Sequence, residues 1–394
     1  MAKLRHNLIK NYLFEFLKYS NVMHICWFVY LLSKGFTVVE VALLESIFHI
    51  TSLIFETPTG AIADVLGRKY TRMMGMLFHI LYLVGLWYVS SYGVAVVSFI
   101  LAAISYNLES GSATAFVYDT LKEIGEETTF TQRESFRESL IRIASVLGNL
   151  GGGLLIALSY GWAFLVNIIT YIIAIGIALT FQETTVQKRK EKKVFQLAFI
   201  QQFQESIQLF KKNIPLFFAM VAFALISTMT AVLAYYATVY WESLQWSSSI
   251  IGFWFAAGGV LAALGAFLSH RIEKRVSLQA ILWINVILTS LGFGFFFFPY
   301  VSIIGFLVLS FLDGGLYVLM NALLNRFTQS EIRATVLSIN SMFFSLFMMV
   351  LFPLFGAFIQ FWTFEMSFIV FALGWSLIMI LLVPQASLKT TNKI

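Results

Sequence analysis

Four carboxyl groups, Glu15, Glu45, Glu109 and Asp313, sit inside long apolar runs of a 394-residue chain in which only 12% of residues are charged. A fifth set of charges is crowded differently. The fifteen residues PTGAIADVLGRKYTR, 58–72, hold one acid, three bases and two glycines between two apolar stretches. A carboxyl surrounded by hydrocarbon is costly to ionise, and by default it marks a functional site. Glu109 and Asp313 have no basic residue one turn away in sequence, so each suits uptake and release of a proton. Glu15 is expected to be neutralised by Lys18 one turn on, while Glu45 shares a helical face with His49. His24 and His79 are expected to pack or to bond locally. Asp64 and Arg68 suit pairing between loops: a carboxylate can accept from free N–H groups at a helix start, and a guanidinium can grip a carboxylate with two prongs. Asp119, Arg133 and Arg137 are expected at the same face, completing a charged cluster.

Other chemistries are excluded by what the sequence lacks. Cys26 is the one cysteine, so no intrachain disulfide and no thiolate metal site can form. There is no phosphate-binding glycine–lysine loop, no nucleophile elbow and no His/Glu pair at metal-ligand spacing, and no enzyme activity, metal or cofactor is expected.

Elements to position these groups follow from composition. Hydrophobic residues make up 59% of the chain and mean hydropathy is +0.83, whereas a soluble domain carries about 25% charged residues. Lipid must be the solvent. The apolar runs are about twenty residues long, as a helix crossing a ~30 Å hydrocarbon core requires. Breaks at polar residues predict twelve transmembrane helices, near 11–33, 37–62, 71–91, 93–120, 138–159, 161–182, 215–240, 249–269, 277–298, 300–323, 335–359 and 363–384. The first run is expected to be an uncleaved span. A polar stretch at 183–213 is expected to be a central loop separating six-helix halves, 1–182 and 214–394.

Basic residues orient the chain. With both termini cytoplasmic, the inner segments hold nearly all of them and the outer loops hold Lys34 alone, the positive-inside pattern. The net charge of +6 is thus a topology signal rather than a sign of nucleic-acid binding. The halves share an orientation and echo each other: GAIADVLGRK from Gly60 against GAFLSHRIEK from Gly265, and Leu108–Gly111 against Leu312–Gly315. Two parallel six-helix halves are a recognised transporter architecture.

Gly60, Ile62, Ala63, Asp64, Gly67, Arg68 and Lys69 follow G-x-[LI]-[AS]-D-x-x-G-R-[KR], which resembles the signature of the major facilitator superfamily in the loop between helices two and three. The resemblance covers the whole chain. It implies an all-α membrane protein of the major facilitator fold, in which a cluster around Asp64 and Arg68 latches one conformational state. Lys69 and Arg72 are expected only to anchor helix ends in water. Gly148, Gly152 and Gly153 in GNLGGG are similar to the helix-five glycine motif of drug antiporters, with Asn149 in place of its proline. Asn107 stands where those antiporters carry an arginine. The resemblance also places helices one, four, seven and ten around the cavity, which makes Glu109 and Asp313 the first proton-coupling candidates, then Glu15 and Glu45. Tyr235, Tyr236, Tyr240 and Trp241 form an aromatic cluster that suits lipophilic or cationic substrates, although Trp241 and Trp246 fit an interfacial belt.

The function these features predict is proton-coupled efflux of lipophilic small molecules across the cell membrane by alternating access. The expected partners are the lipid bilayer, a small-molecule substrate and a proton or other cation; a monomer is the expected state. The alternatives are an uptake symporter for a nutrient or metabolite, and a transport-inactive receptor or assembly protein on the same fold.

Overall fold

The computed structural model describes residues 2–183, 208, 210–273, 275–327 and 333–386; of residues 2, 3, 57, 61, 64, 65, 111, 325–327 and 333–335 it describes the backbone alone. The described chain is helical and multi-pass. In order, its helices are α1 (Ala2–Tyr19), α2 (Trp27–Ser33), α3 (Val38–Leu66), α4 (Arg68–Trp87), α5 (Tyr92–Ile124), α6 (Phe130–Leu158) and α7 (Tyr160–Leu179). They continue as α8 (Ile214–Ser243), α9 (Ser248–Glu273), α10 (Leu278–Phe295), α11 (Ser302–Phe327), α12 (Arg333–Phe361) and α13 (Phe364–Leu382). Among the described residues, ten segments are long and apolar enough to cross a membrane by length and hydropathy. The two further spans of the twelve-helix fold are α4, whose first turn is basic, and the first span, which is split between α1 and α2.

That split departs from the single helix expected over 11–33. Residues 20–26 leave the helix, and their backbone is held by other partners. The connector of 58–72 also departs from expectation. α3 runs through Pro58 to Leu66 and α4 starts at Arg68, so the whole link is Gly67, at φ 88° and ψ 159°. Only a residue without Cβ adopts that backbone cheaply. Asp64 therefore lies in the last turn of α3 instead of beyond its end; its side chain is outside the described set.

Helix ends elsewhere are set by short polar side chains. Thr37 and Glu40 form a reciprocal capping box at α3, and Ser91, Ser277 and Thr363 each accept from the backbone N–H three residues on. Gly125 ends α5 in the left-handed region.

The chain divides into two compact units. Unit 1 is Met1–Lys190 with Gln245–Ala256, and unit 2 is Glu191–Leu244 with Ala257–Ile394. Most of the expected central loop, and Lys190 with it, lies outside the described residues. In unit 2, α9 and α11 pack backbone to backbone: a Cβ on Gly265 would meet the Phe311 carbonyl, and one on Gly314 the Ala262 carbonyl. Trp241 is fully buried there and donates to Ser302 Oγ at 2.8 Å; Tyr236 donates to the Phe352 carbonyl at 2.8 Å. Trp241 is therefore a core residue and not part of an interfacial belt. Tyr236 and Tyr240, both buried, fill that same core.

Candidate functional site

Unit 1 encloses a chain of alternating charges. Arg72, one turn into α4, is fully buried, and so is Glu15 on α1; Glu109 on α5 is 1% exposed. Arg72 donates to Asn11 and to Glu15, and its Nε lies 3.5 Å from Glu109 Oε2. The same carboxylate oxygen is 3.1 Å from Lys18 Nζ. The ladder runs Glu15, Arg72, Glu109, Lys18: two acids alternating with two bases. Arg137 on α6 extends it, with Nη1 3.4 Å from the second Glu15 oxygen and its remaining donors on Glu134 and Glu138.

The surroundings show how these charges are accommodated away from water. The Arg72 guanidinium lies 4.2 Å from the Phe14 ring centroid and 5.6 Å from those of Phe116 and Phe181, an aromatic sleeve that favours a cation. A buried ion is tolerated only when paired and hydrogen-bonded. Gly75, one turn after Arg72, makes room for the acid: a Cβ there would stand 2.9 Å from Glu109 Cγ. One Glu109 oxygen, Oε1, takes no hydrogen bond among the described residues.

Three expectations are thereby corrected. Glu109 has cationic neighbours after all, supplied by other helices instead of its own. Arg72, expected to anchor a helix end in water, is the centre of the network. Glu15 pairs with Arg72 and Arg137, and Lys18 with Glu109, so the expected Glu15–Lys18 neutralisation gives way to pairs between helices. Sequence spacing sees only the neighbours of one helix, and these pairs are 57 and 91 residues apart.

Beside Lys18 lies the break in the first span. Asn167 on α7 spans it: its Oδ1 accepts from the Val22 N–H at 3.2 Å and its Nδ2 donates to Asn21 Oδ1 at 2.8 Å. Tyr171 donates to the Lys18 carbonyl at 3.2 Å. The expected glycine motif forms the seat. A Cβ on Gly148 would come within 3.0 Å of the Asn21 backbone, and one on Gly152 would collide with the Val22 carbonyl. Gly153 faces the start of α9, where its Cβ position is 3.0 Å from Gly252 Cα. Asn167 carried no sequence signal, because one asparagine in an apolar helix has no motif around it. His79 bonds locally as expected, with Nδ1 3.4 Å from Ser105 Oγ.

At the basic end of unit 1, Arg68 Nε is 3.9 Å from Asp119 Oδ2, the pair expected of a latch. Arg133 and Arg137 take other partners: Arg133 pairs with Glu126 at 3.9 Å, as does Arg5 at 2.7 Å. Gly60 has nothing within 4 Å of its Cβ position among the described residues. The anion at the start of α4 is Glu183, just past α7, which accepts from the Lys69 N–H at 2.9 Å. Its carboxylate occupies the space a Gly67 side chain would need. Burial holds the Glu183 carboxyl above the ordinary carboxylate range, against the pull of Lys69 and Arg68. Lys69 Nζ in turn caps α7 at the Leu179 carbonyl, 2.5 Å away. Lys69 is thus a clasp between helices and not merely a water-facing anchor.

The other carboxyl candidates sit apart from this ladder. Glu45 is buried, 3.5 Å from His49 on the next turn. Asp313 is half-buried on α11, one residue before the close α9–α11 contact at Gly314. Among the described residues no group of three or more His, Cys, Asp or Glu side chains could hold a metal ion. Asn107 exchanges hydrogen bonds with Ser52 on α3, both at 2.7 Å.

Comparison with known proteins bears on the whole chain. The Major Facilitator Superfamily model matches residues 12–312 and, in a second alignment, 242–393. The "Uncharacterized MFS-type transporter YxaM" of Bacillus subtilis (strain 168) is 24% identical over 251 residues, 64% of this chain; the chain spans 62% of that relative's length. Among solved structures, the nucleoside transporter NupG superposes with a TM-score of 0.74 at 15% identity, over 99% of this chain and 100% of that one. A D-xylose-proton symporter superposes with a TM-score of 0.69 at 14% identity, over 98% of each chain. At these identities the likeness to solved structures is one of fold.

Proposed function

Because the chain belongs to the Major Facilitator Superfamily, we propose that it is a proton-coupled secondary transporter that works by alternating access, with Glu109 holding the coupling proton. Family membership makes it a membrane transporter and not an enzyme; the coupling and the direction are our reading. The observation that carries it is the Glu109 carboxylate, shared through one oxygen between Lys18 and Arg72, while the other oxygen takes no bond among the described residues. A carboxylate so placed can gain a proton only by weakening two ion pairs, so protonation is tied to a rearrangement between helices. The Arg68–Asp119 pair is the latch we assign to one of the two states.

Export of lipophilic compounds is the direction we propose. What supports it is the close packing of Gly148, Gly152 and Gly153, the positions at which the sequence resembles antiporters. A specific observation favours the second reading, uptake symport of a polar metabolite. Asn107 replaces the antiporter arginine, and its side chain is bound to Ser52. Everted membrane vesicles carrying a lumenal pH dye decide between them. Under a pre-formed acid-inside gradient, an added substrate of an exporter makes the lumen more alkaline. Without a gradient, a symporter substrate added outside makes the lumen more acid. A lumenal pH unmoved by every transported compound contradicts proton coupling.

A further inference from the structure

The break at 20–26 lies directly after Lys18, in the last turn of α1, and no part of the proposed coupling has yet used it. A transmembrane helix that unwinds must satisfy its freed backbone elsewhere. Here one asparagine, one tyrosine and two glycines from α6 and α7 meet the broken stretch, through Asn167, Tyr171, Gly148 and Gly152. The remaining tie is electrostatic: Lys18 Nζ reaches 3.1 Å to Glu109 on α5, and its side chain is 17% exposed. Lys18 is thus the most exposed rung of the ladder.

We infer that Lys18 is a positioning residue that carries the protonation state of Glu109 into the break of the first span. With Glu109 ionised, the Lys18 ammonium is held and the end of α1 is fixed against α5. With Glu109 neutral, the ammonium loses its one close ion pair and keeps only the more distant Glu15, which is already shared by Arg72 and Arg137. A stranded buried charge is strongly destabilising. Lys18 then swings toward water and loosens 20–26 with it. The titratable and charged groups around Glu109 and Lys18 are Glu15 and Tyr19 from α1, Arg72 and His79 from α4, Arg137 from α6 acting through Glu15, and Tyr171 from α7. Ser52 of α3 is bonded to Asn107 of α5. Among the described residues none but Glu109 stands within ion-pair distance of Lys18 Nζ. The inference rests on the reading of Glu109 as the coupling site and deepens it by naming what the proton moves.

The chain supplies its own reporter. Cys26, its one cysteine, is 6% exposed and closes the broken stretch. The experiment measures the rate at which N-ethylmaleimide labels Cys26 in membrane vesicles at one fixed pH, with no gradient and no substrate. Asn167→Ala, which removes the brace, is expected to raise the rate and sets the scale for a loosened break. Glu109→Gln and Lys18→Met are each expected to raise it at least about fivefold, the factor that about 1 kcal/mol of local opening gives. Lys18→Arg keeps the charge and stays near the wild-type rate. The double variant, Glu109→Gln with Lys18→Met, strands no charge and returns toward wild type. Wild-type labelling rates in both single variants overturn the inference, and so does a double variant as fast as the singles. Because labelling needs no transport, this result is separable from the vesicle assay: a chain that moves no protons can still show the coupling between Glu109 and the break, or lack it.

Discussion

Replacing Arg72 by Met leaves Glu15 and Glu109 buried with one counter-charge fewer each, while the methionine still fills the Phe14 sleeve. Removing one partner of a buried pair costs about 3–5 kcal/mol, a large share of a typical stability of about 5–15 kcal/mol. Arg72→Met is therefore expected to lower the melting temperature of the detergent-purified protein sharply. Arg68→Ala, which removes a half-buried cation paired with Asp119 at a helix end, should shift melting less than Arg72→Met while slowing transport. A similar melting point for Arg72→Met and wild type contradicts the ladder. Glu183 allows a prediction with a sign. Its carboxyl is held above its ordinary value by burial, so its contribution to stability is present at acid pH and is lost as pH rises through the raised value. Glu183→Gln, which keeps an acceptor for the Lys69 N–H, should equal or exceed wild type in thermal stability near neutrality, and the difference should vanish in acid. An advantage that grows toward acid contradicts the assignment. At this scale the sequence exposed the acids well and their partners poorly. Glu15 and Glu109 stood out because ionisable groups are rare in apolar runs. Arg72 did not, because the bases of a basic loop look alike until the fold buries one of them.

The first span shows what an element can hide. Its apolar run is continuous from Val22 to Leu32 apart from His24, and nothing in it breaks a helix by propensity: no proline, no glycine. The break is imposed from outside, by Asn167 offering bonds to the backbone and by Gly148 and Gly152 leaving room for it. Tertiary context overrides local preference here, which is why most other helices were legible to within about four residues, α6 beginning eight residues earlier than expected, and this one was not. Gly152→Val is expected to be the most damaging glycine change in α6, since its Cβ would collide with the Val22 carbonyl. Gly151→Val should be mild, because the nearest atom to its Cβ position is a Val22 methyl at 3.7 Å. Overpacking of this kind costs about 1–3 kcal/mol. Comparing the yield of monodisperse protein from the two variants checks the claim, and equal yields contradict it. The turn at Gly67 makes the opposite point. Its glycine was legible as a tight turn, but a connector reduced to one residue was not, because α3 continues through Pro58.

For the whole molecule, twelve spans and membership of the superfamily were readable because lipid imposes length and apolarity on every helix, and because the 58–72 motif has a fixed spacing. Orientation is a proposal that follows from the distribution of basic residues. A cysteine at Ser90 should react with an impermeant thiol reagent in intact cells, and one at Glu127 only after permeabilisation; the reverse pattern contradicts cytoplasmic termini. What the sequence could not convey is how the charges of α1, α4, α5 and α6 meet inside unit 1, which depends on helix rotation. The central claim is that Glu109, held by Lys18 and Arg72, carries the coupling proton, and one measurement addresses it most directly. Glu109→Gln is prepared in vesicles alongside wild type, and each is assayed for gradient-driven accumulation of a transported compound and for exchange of that compound at equal concentrations on both sides. The account predicts that the variant exchanges substrate but no longer accumulates it. A variant that still accumulates substrate uphill with the wild-type pH dependence contradicts the account and moves the coupling site elsewhere, to Asp313 or Glu45.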